Sequence, residues 1–139
     1  MYDTILVPID GSDRANRAVE YALSLADRYD ATLDSLYVVE THRYGEPALS
    51  SAEIVINELE DRGEAELEAI AERADDAGIE SAWTLRHGAP AAEILTRADE
   101  VDADLVVLGH QGRSHTRTDR IGSVAERVVR DADRPVLTV

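Results

Sequence analysis

Five short apolar runs alternate along the chain with four stretches whose apolar residues recur at helical spacing, and this alternation leaves few folds open. Thr4-Ile5-Leu6-Val7-Pro8-Ile9-Asp10 is apolar without interruption and ends in an acid, as expected of a strand covered on both faces of a parallel sheet. Pro8 cannot donate to a ladder, so it belongs near the C-terminal end of that strand, where pairing is stopping. Gly11-Ser12-Asp13 turns the chain into a helix with Ser12 as N-cap, an apolar face of Ala15, Ala18, Val19, Ala22, Leu23, Leu25 and Ala26, and an end near Arg28. Strand two covers residues 31–39, followed by a polar loop from Glu40 to Leu49 with Gly45 and Pro47. Ser50-Ser51-Ala52-Glu53 reads as a capping box opening a long helix, with Ile54, Leu59, Leu67, Ile70 and Ala74 on its apolar side and Gly78 as its stop. Strand three is Ile79–His87, with Trp83 a partly buried member. A short helix covers 91–100 with Pro90 near its first position, strand four is Asp104–Leu108, a helix runs from about Gly122 to Ala132, and a last strand covers 134–139.

The order β-α-β-α-β-α-β-α-β predicts an α/β fold: a parallel sheet with right-handed crossovers and helices on both faces, forming one domain over residues 1–139. Ligands of such open sheets sit beyond the carboxyl ends of the strands where strand order reverses, here between strands one and four. That point brings Asp10-Gly11-Ser12 and the segment Gly109–Ser123 to one crevice.

Gly109, Gly112, Gly122 and Ser123 have the spacing Gly-x2-Gly-x9-Gly-Ser between strand four and the last helix. Glycine lets backbone approach an anion, and a helix start offers N–H groups and partial positive charge, so the order strand, glycine loop, helix start suits a phosphate. The bland alternative is that these glycines serve only the turn. Charge leans towards the phosphate. Residues 1–109 carry 8 Arg against 25 acids, whereas residues 110–139 carry 6 Arg against 4 acids, and Arg113, Arg117 and Arg120 lie inside the loop.

Overall the balance is 14 basic to 29 acidic residues, a formal charge of -15, which argues against nucleic-acid partners and anionic membrane surfaces. Every basic residue is Arg. The absence of Lys excludes a Walker-type phosphate loop, a Schiff-base lysine and the strand-end lysine of a receiver domain. Acidity with Arg alone points to a salt-loving source, a halophilic archaeon, where ionic strength screens self-repulsion. Without Cys there is no disulfide, thiolate nucleophile or sulfur-ligated metal. The opening Met1-Tyr2-Asp3-Thr4 leads directly into a strand and no apolar run approaches 18 residues, so the expectation is a cytoplasmic protein without membrane association. His42, His87, His110 and His115 lack metal-site spacing on one element, and no Gly-x-Ser-x-Gly elbow or paired acids mark a catalytic centre.

The segments Ile5–Ser12, Leu36–Val39, Gly88-Ala89-Pro90, Val106–Ser114 and Gly122–Val128 together resemble the universal stress protein family, in order along the whole chain, and the glycine spacing resembles its ATP-binding branch. The resemblance implies an open five-stranded parallel sheet of order 3-2-1-4-5 sandwiched by four helices, Rossmann-like and similar to the adenine nucleotide alpha hydrolases. It implies that Pro8 and Val38 line an adenine pocket, that Asp10 holds the ribose or adenine side, and that Gly109, His110, Gly112, Gly122, Ser123 and Val124 surround the triphosphate. Gly11, Ser12 and Arg113 complete the expected site. For Asp10 the alternative is a turn or cap carboxylate. The cofactor implied is ATP, or ADP or AMP, with Mg brought through the phosphates and reached by the Ser123 hydroxyl. The sequence departs from the family's pattern at His115-Thr116-Arg117-Thr118-Asp119-Arg120, a polar stretch that either grips phosphate more tightly or is solvated.

Three functions follow as alternatives. One is an ATP-binding stress-response protein whose nucleotide sets conformation or the choice of a still unknown protein partner. Another is a slow ATPase or self-phosphorylating protein, with Ser123 or Ser114 as acceptor and Arg113 or Arg117 stabilising charge. The third is a nucleotide-free dimeric scaffold. A homodimer through the C-terminal strand, Val136–Val139, is expected because a short apolar edge is either blunted or paired with a copy of itself.

Overall fold

A computed structural model describes residues 2–40, 49–111 and 120–139. In chain order the elements are β1 (Thr4–Ile9), α1 (Asp13–Tyr29), β2 (Thr32–Val39), α2 (Leu49–Asp76), β3 (Ser81–His87), α3 (Pro90–Glu100), β4 (Leu105–Leu108), α4 (Ser123–Asp131) and β5 (Val136–Thr138). All the strand pairs are parallel and the sheet order is β3-β2-β1-β4-β5, so the direction of winding reverses between β1 and β4. This is the expected α/β architecture and strand order.

Alternation along the buried strands divides the core in two. Ile5, Val7, Ile9, Leu33, Tyr37, Val39, Leu105 and Val107 face α1 and α2, whose Ala15, Ala18, Val19, Ala22, Leu67, Ile70 and Ala74 pack on them. Leu6, Leu36, Val106 and Leu108 face the other way, against Ala91, Ile94 and Ala98 of α3 and Ala125 and Val128 of α4. Small residues on α1 let it lie close to the sheet. The second face also holds a buried ion pair: Asp34, 4% exposed, accepts from Arg97 Nε at 3.1 Å and Nη2 at 2.8 Å. The hydrogen bond to Asp34 raises the Arg97 pKa further, against the opposing pull of burial. Arg97 also reaches Glu100, which bonds Arg86 in turn.

Local signals explain most element ends. Ser12 caps α1, its hydroxyl accepting from the Ala15 N–H at 3.1 Å. Pro90 occupies the first turn of α3. At the end of α2 the Gly78 N–H bonds Asp75 O and the Ile79 N–H bonds Ala74 O, with Gly78 at φ +72°. The start of α2 differs from expectation. The helix already includes Leu49, so Ser50 to Glu53 fall in its first turns and not before them. Ile54 also departs from the expected apolar stripe, being 59% exposed, because the sheet-facing stripe is Leu67, Ile70 and Ala74 further along. Trp83 lies in β3 opposite Ser35 and is 38% exposed, since β3 is an edge strand. Strands β2, β3, β4 and β5 are each shorter than their apolar runs by one to three residues, the outer residues serving as connections.

Candidate functional site

The crevice begins where β1 and β4 part. Their register pairs Ile5 with Leu105 and Leu6 with Val106 and goes no further, whereas β1 stays paired to β2 through Ile9. Pro8, with no N–H to donate, lies just past the last β1–β4 pair, as the sequence predicts. Beyond the split is a cavity of about 360 Å³, a size suited to a small ligand. Its walls come from both crevice-facing loops and from both helical layers.

On the β1 side it is lined by Pro8, Ile9, Asp10 and Ser12, and on the β2 side by Tyr37, Val38, Val39 and Glu40. Asp10 is held in a tight turn, its Oδ1 accepting from the Ser12 N–H at 3.0 Å. Gly11 makes that turn at φ +82°, where a side chain would be strained and would meet Glu66 Oε1 at 3.0 Å. On the β4 side the lining is Leu108, Gly109 and Gln111, with Val124 and Ala125 of α4 beyond. Pro90 and Ile94 of α3 and Leu59 of α2 close the ends. The floor is thus apolar, with Asp10 and Glu40 as its charged side chains among the described residues.

Six of the sequence-predicted site residues line this cavity: Pro8, Asp10, Ser12, Val38, Gly109 and Val124. Gly11 forms the turn beside it. Gly122 and Ser123 begin α4 at its rim, Gly122 as N-cap residue with no side chain capping the helix. The first N–H groups of a helix have no partner within it, and Val124 and Ala125 bring that end of α4 to the cavity. The backbone of His110 is engaged on both sides. Its N–H donates to Val139 O at 2.7 Å and its carbonyl accepts from the Gly122 N–H at 2.8 Å. Gln111 Nε2 adds a bond to Arg120 O at 2.6 Å. The two ends of the 110–122 loop are thereby clasped together, and the N–H groups of His110 and Gly122 are engaged within the protein. Gly112, Arg113, Ser114, His115 and Arg117 lie outside the described residues, as do Gly45 and Pro47.

Several lining residues carry no signal readable beforehand. Tyr37 points towards α2, where its ring lies directly under Gly63; a Cβ on Gly63 would stand 2.6 Å from Tyr37 Cδ1. Gly109 has a packing reason as well: a Cβ there would come within 3.0 Å of the Arg14 Cβ and carbonyl carbon and 3.1 Å of the Ala15 N. An unexplained glycine inside the α2 pattern was the one available hint of the Tyr37 contact. Among the described residues no group of three or more His, Cys, Asp or Glu is gathered to hold a metal ion, and no helix is long and apolar enough to cross a membrane.

A doubly wound parallel sheet with its cavity at the strand reversal, an acid-bearing turn on one side and a helix start on the other defines an α/β protein of the Rossmann-like class, with a candidate ligand cavity at the place such folds use. The chain belongs to the universal stress protein family, which it matches over residues 1–139. The universal stress protein MJ0531 of Methanocaldococcus jannaschii is 35% identical over 140 residues, spanning 100% of this chain and 82% of the relative. Among solved structures, the hypothetical protein MJ0577 superposes with a TM-score of 0.92 at 24% identity over 100% of this chain and 96% of that one, a likeness of fold. A universal stress protein solved in complex with cAMP gives 0.70 at 30% identity, covering 99% and 96%. The Archaeoglobus fulgidus universal stress protein solved in complex with dAMP gives 0.68 at 26% identity, covering 99% and 97%.

Proposed function

We propose that residues 1–139 form one domain that binds an adenine nucleotide, ATP or else ADP or AMP, and that the bound nucleotide sets conformation or partner choice in a stress response. The observation that carries this reading is the split between β1 and β4, which sets an apolar cavity between a fixed carboxylate and a helix start. The solved relatives holding cAMP and dAMP support it.

In this reading the adenine lies on Pro8 and Val38, and Asp10 accepts from the ribose hydroxyls, pre-oriented by its bond from Ser12. The phosphates run past Gly109 to the start of α4, where the N–H groups of Ser123 and Val124 and the Ser123 hydroxyl donate to them. Gly11, His110 and Gly122 hold the loops in place, and Gly112 and Arg113 complete the phosphate cradle. Mg enters with the phosphates, with Ser123 as the protein group reaching it; it supplies charge to offset the acidic walls. Two copies pair along the C-terminal strand, Val136–Val139, where Leu137 is 36% exposed.

Calorimetric titration in a salt-rich buffer tests this directly. ATP with Mg is expected to bind the purified protein and GTP to bind more weakly. Absence of ATP binding, from protein shown to carry no nucleotide of its own, would remove the reading. Phosphate release well above buffer would replace it with an ATPase.

A further inference from the structure

We infer that Arg14 reads the terminal phosphates of the bound nucleotide and sets the preference for ATP over AMP; this rests on the adenine-nucleotide reading of the cavity. Among the described residues, the charged side chains lining the cavity are Asp10 and Glu40, both acids, in a chain of formal charge -15. A polyphosphate brought there meets repulsion that the half charge of one helix start does not cancel. Beside the Mg and Arg113 of the proposed site, a further protein cation close by is called for, and Lys is absent from the chain.

Arg14 has the position and the chemistry. It lies in the first turn of α1, between Ser12 and Ala15, which both line the cavity. Its Cβ and backbone abut Gly109, the residue that opens the glycine loop. Helix α1 covers one face of the sheet and α4 the other, so Arg14 and Ser123 approach the β1–β4 split from opposite sides. Arg14 is also unlike the other partly buried arginines. Arg86, Arg97 and Arg134 each hold carboxylates. Arg14 is half-buried and, among the described residues, has no ion pair or hydrogen bond, although acids outnumber arginines two to one. A guanidinium partly withdrawn from water and left without an anion is costly, and a phosphate satisfies it through its planar fork of donors.

The test compares wild type, Arg14→Met and Arg14→Lys by calorimetric titration with ATP, ADP, AMP and adenosine at moderate salt. Loss of one charge-assisted contact is expected to weaken ATP about tenfold or more in Arg14→Met, ADP less, and AMP and adenosine under about twofold. Arg14→Lys is expected to recover part of the ATP loss, since it keeps the charge and loses the fork. The salt dependence of ATP binding is expected to flatten in Arg14→Met. Equal weakening for all four ligands, or unchanged ATP affinity in both variants, overturns the inference while leaving the nucleotide reading intact. A wild-type protein that binds none of the four overturns both.

Discussion

Replacing Gly63 with Ala sets two known effects against each other, and the structure decides between them. In an exposed helix interior the change from Gly to Ala is favourable by about 1 kcal/mol, because Gly loses more backbone freedom on folding. Gly63, however, is buried in the middle of α2, and the added methyl would stand 2.6 Å from Tyr37 Cδ1 and 2.9 Å from both Cγ and Cε1. All three atoms belong to a rigid ring on a central-sheet residue that is 3% exposed and paired on both sides, to Ile9 and to Leu85. The ring has no free end to move aside, so the overpacking cost lies in the upper part of the usual range, about 2 to 3 kcal/mol. The expected net loss is about 1 to 2 kcal/mol, or roughly 3 to 8 °C in thermal midpoint for a chain of this size. Because Leu59, one helical turn earlier, and Tyr37 both line the cavity, shifting α2 outward also weakens ATP binding. Urea denaturation followed by circular dichroism measures the first effect and calorimetry the second. A Gly63→Ala protein about 1 kcal/mol more stable than wild type, with unchanged affinity, would show that α2 is not seated on the ring.

Removing one member of the buried pair, as in Asp34→Ala, is expected to cost about 3 kcal/mol in denaturant titration, and the combination Asp34→Leu with Arg97→Met to recover most of it, since no buried charge is then left alone. Glu100 is held below its ordinary pKa first by its hydrogen bond with Arg86 and then by Arg97. A carboxylate with a lowered folded-state pKa stabilises the fold above its unfolded value, near 4.5, and that contribution is lost as pH falls through the folded value; Glu100→Gln is therefore expected to show a shallower loss of stability on acidification. Leu137→Arg, which places charge on the β5 edge, is expected to leave monomers by light scattering where wild type gives dimers.

Much of the fold was legible because the signals were local. The uninterrupted apolar run of β1, the Ser12 cap and Pro90 at the start of α3 each depend on residues adjacent in sequence. The place of the cavity was legible too, since the reversal between β1 and β4 follows from topology and Pro8 marks where the β1–β4 ladder stops. What the sequence withheld depends on distant contacts. The need for Gly63 becomes visible only once Tyr37 is seen beneath it, and Gly109, besides its place in the glycine loop, has Arg14 and Ala15 packed against it. Likewise, the backbone of His110 is bonded to Val139 and Gly122, partners 29 and 12 positions further along the chain. The capping box at Ser50 misled because its pattern is equally at home within a first helical turn.

The most direct measurement is a crystal structure of the protein grown with a non-hydrolysable ATP analogue and Mg. Density is expected in the cavity at the β1–β4 split, with the base against Pro8 and Val38, the ribose on Asp10 and the phosphates at the start of α4. An analogue bound elsewhere, or a cavity left empty at saturating ligand, would contradict it.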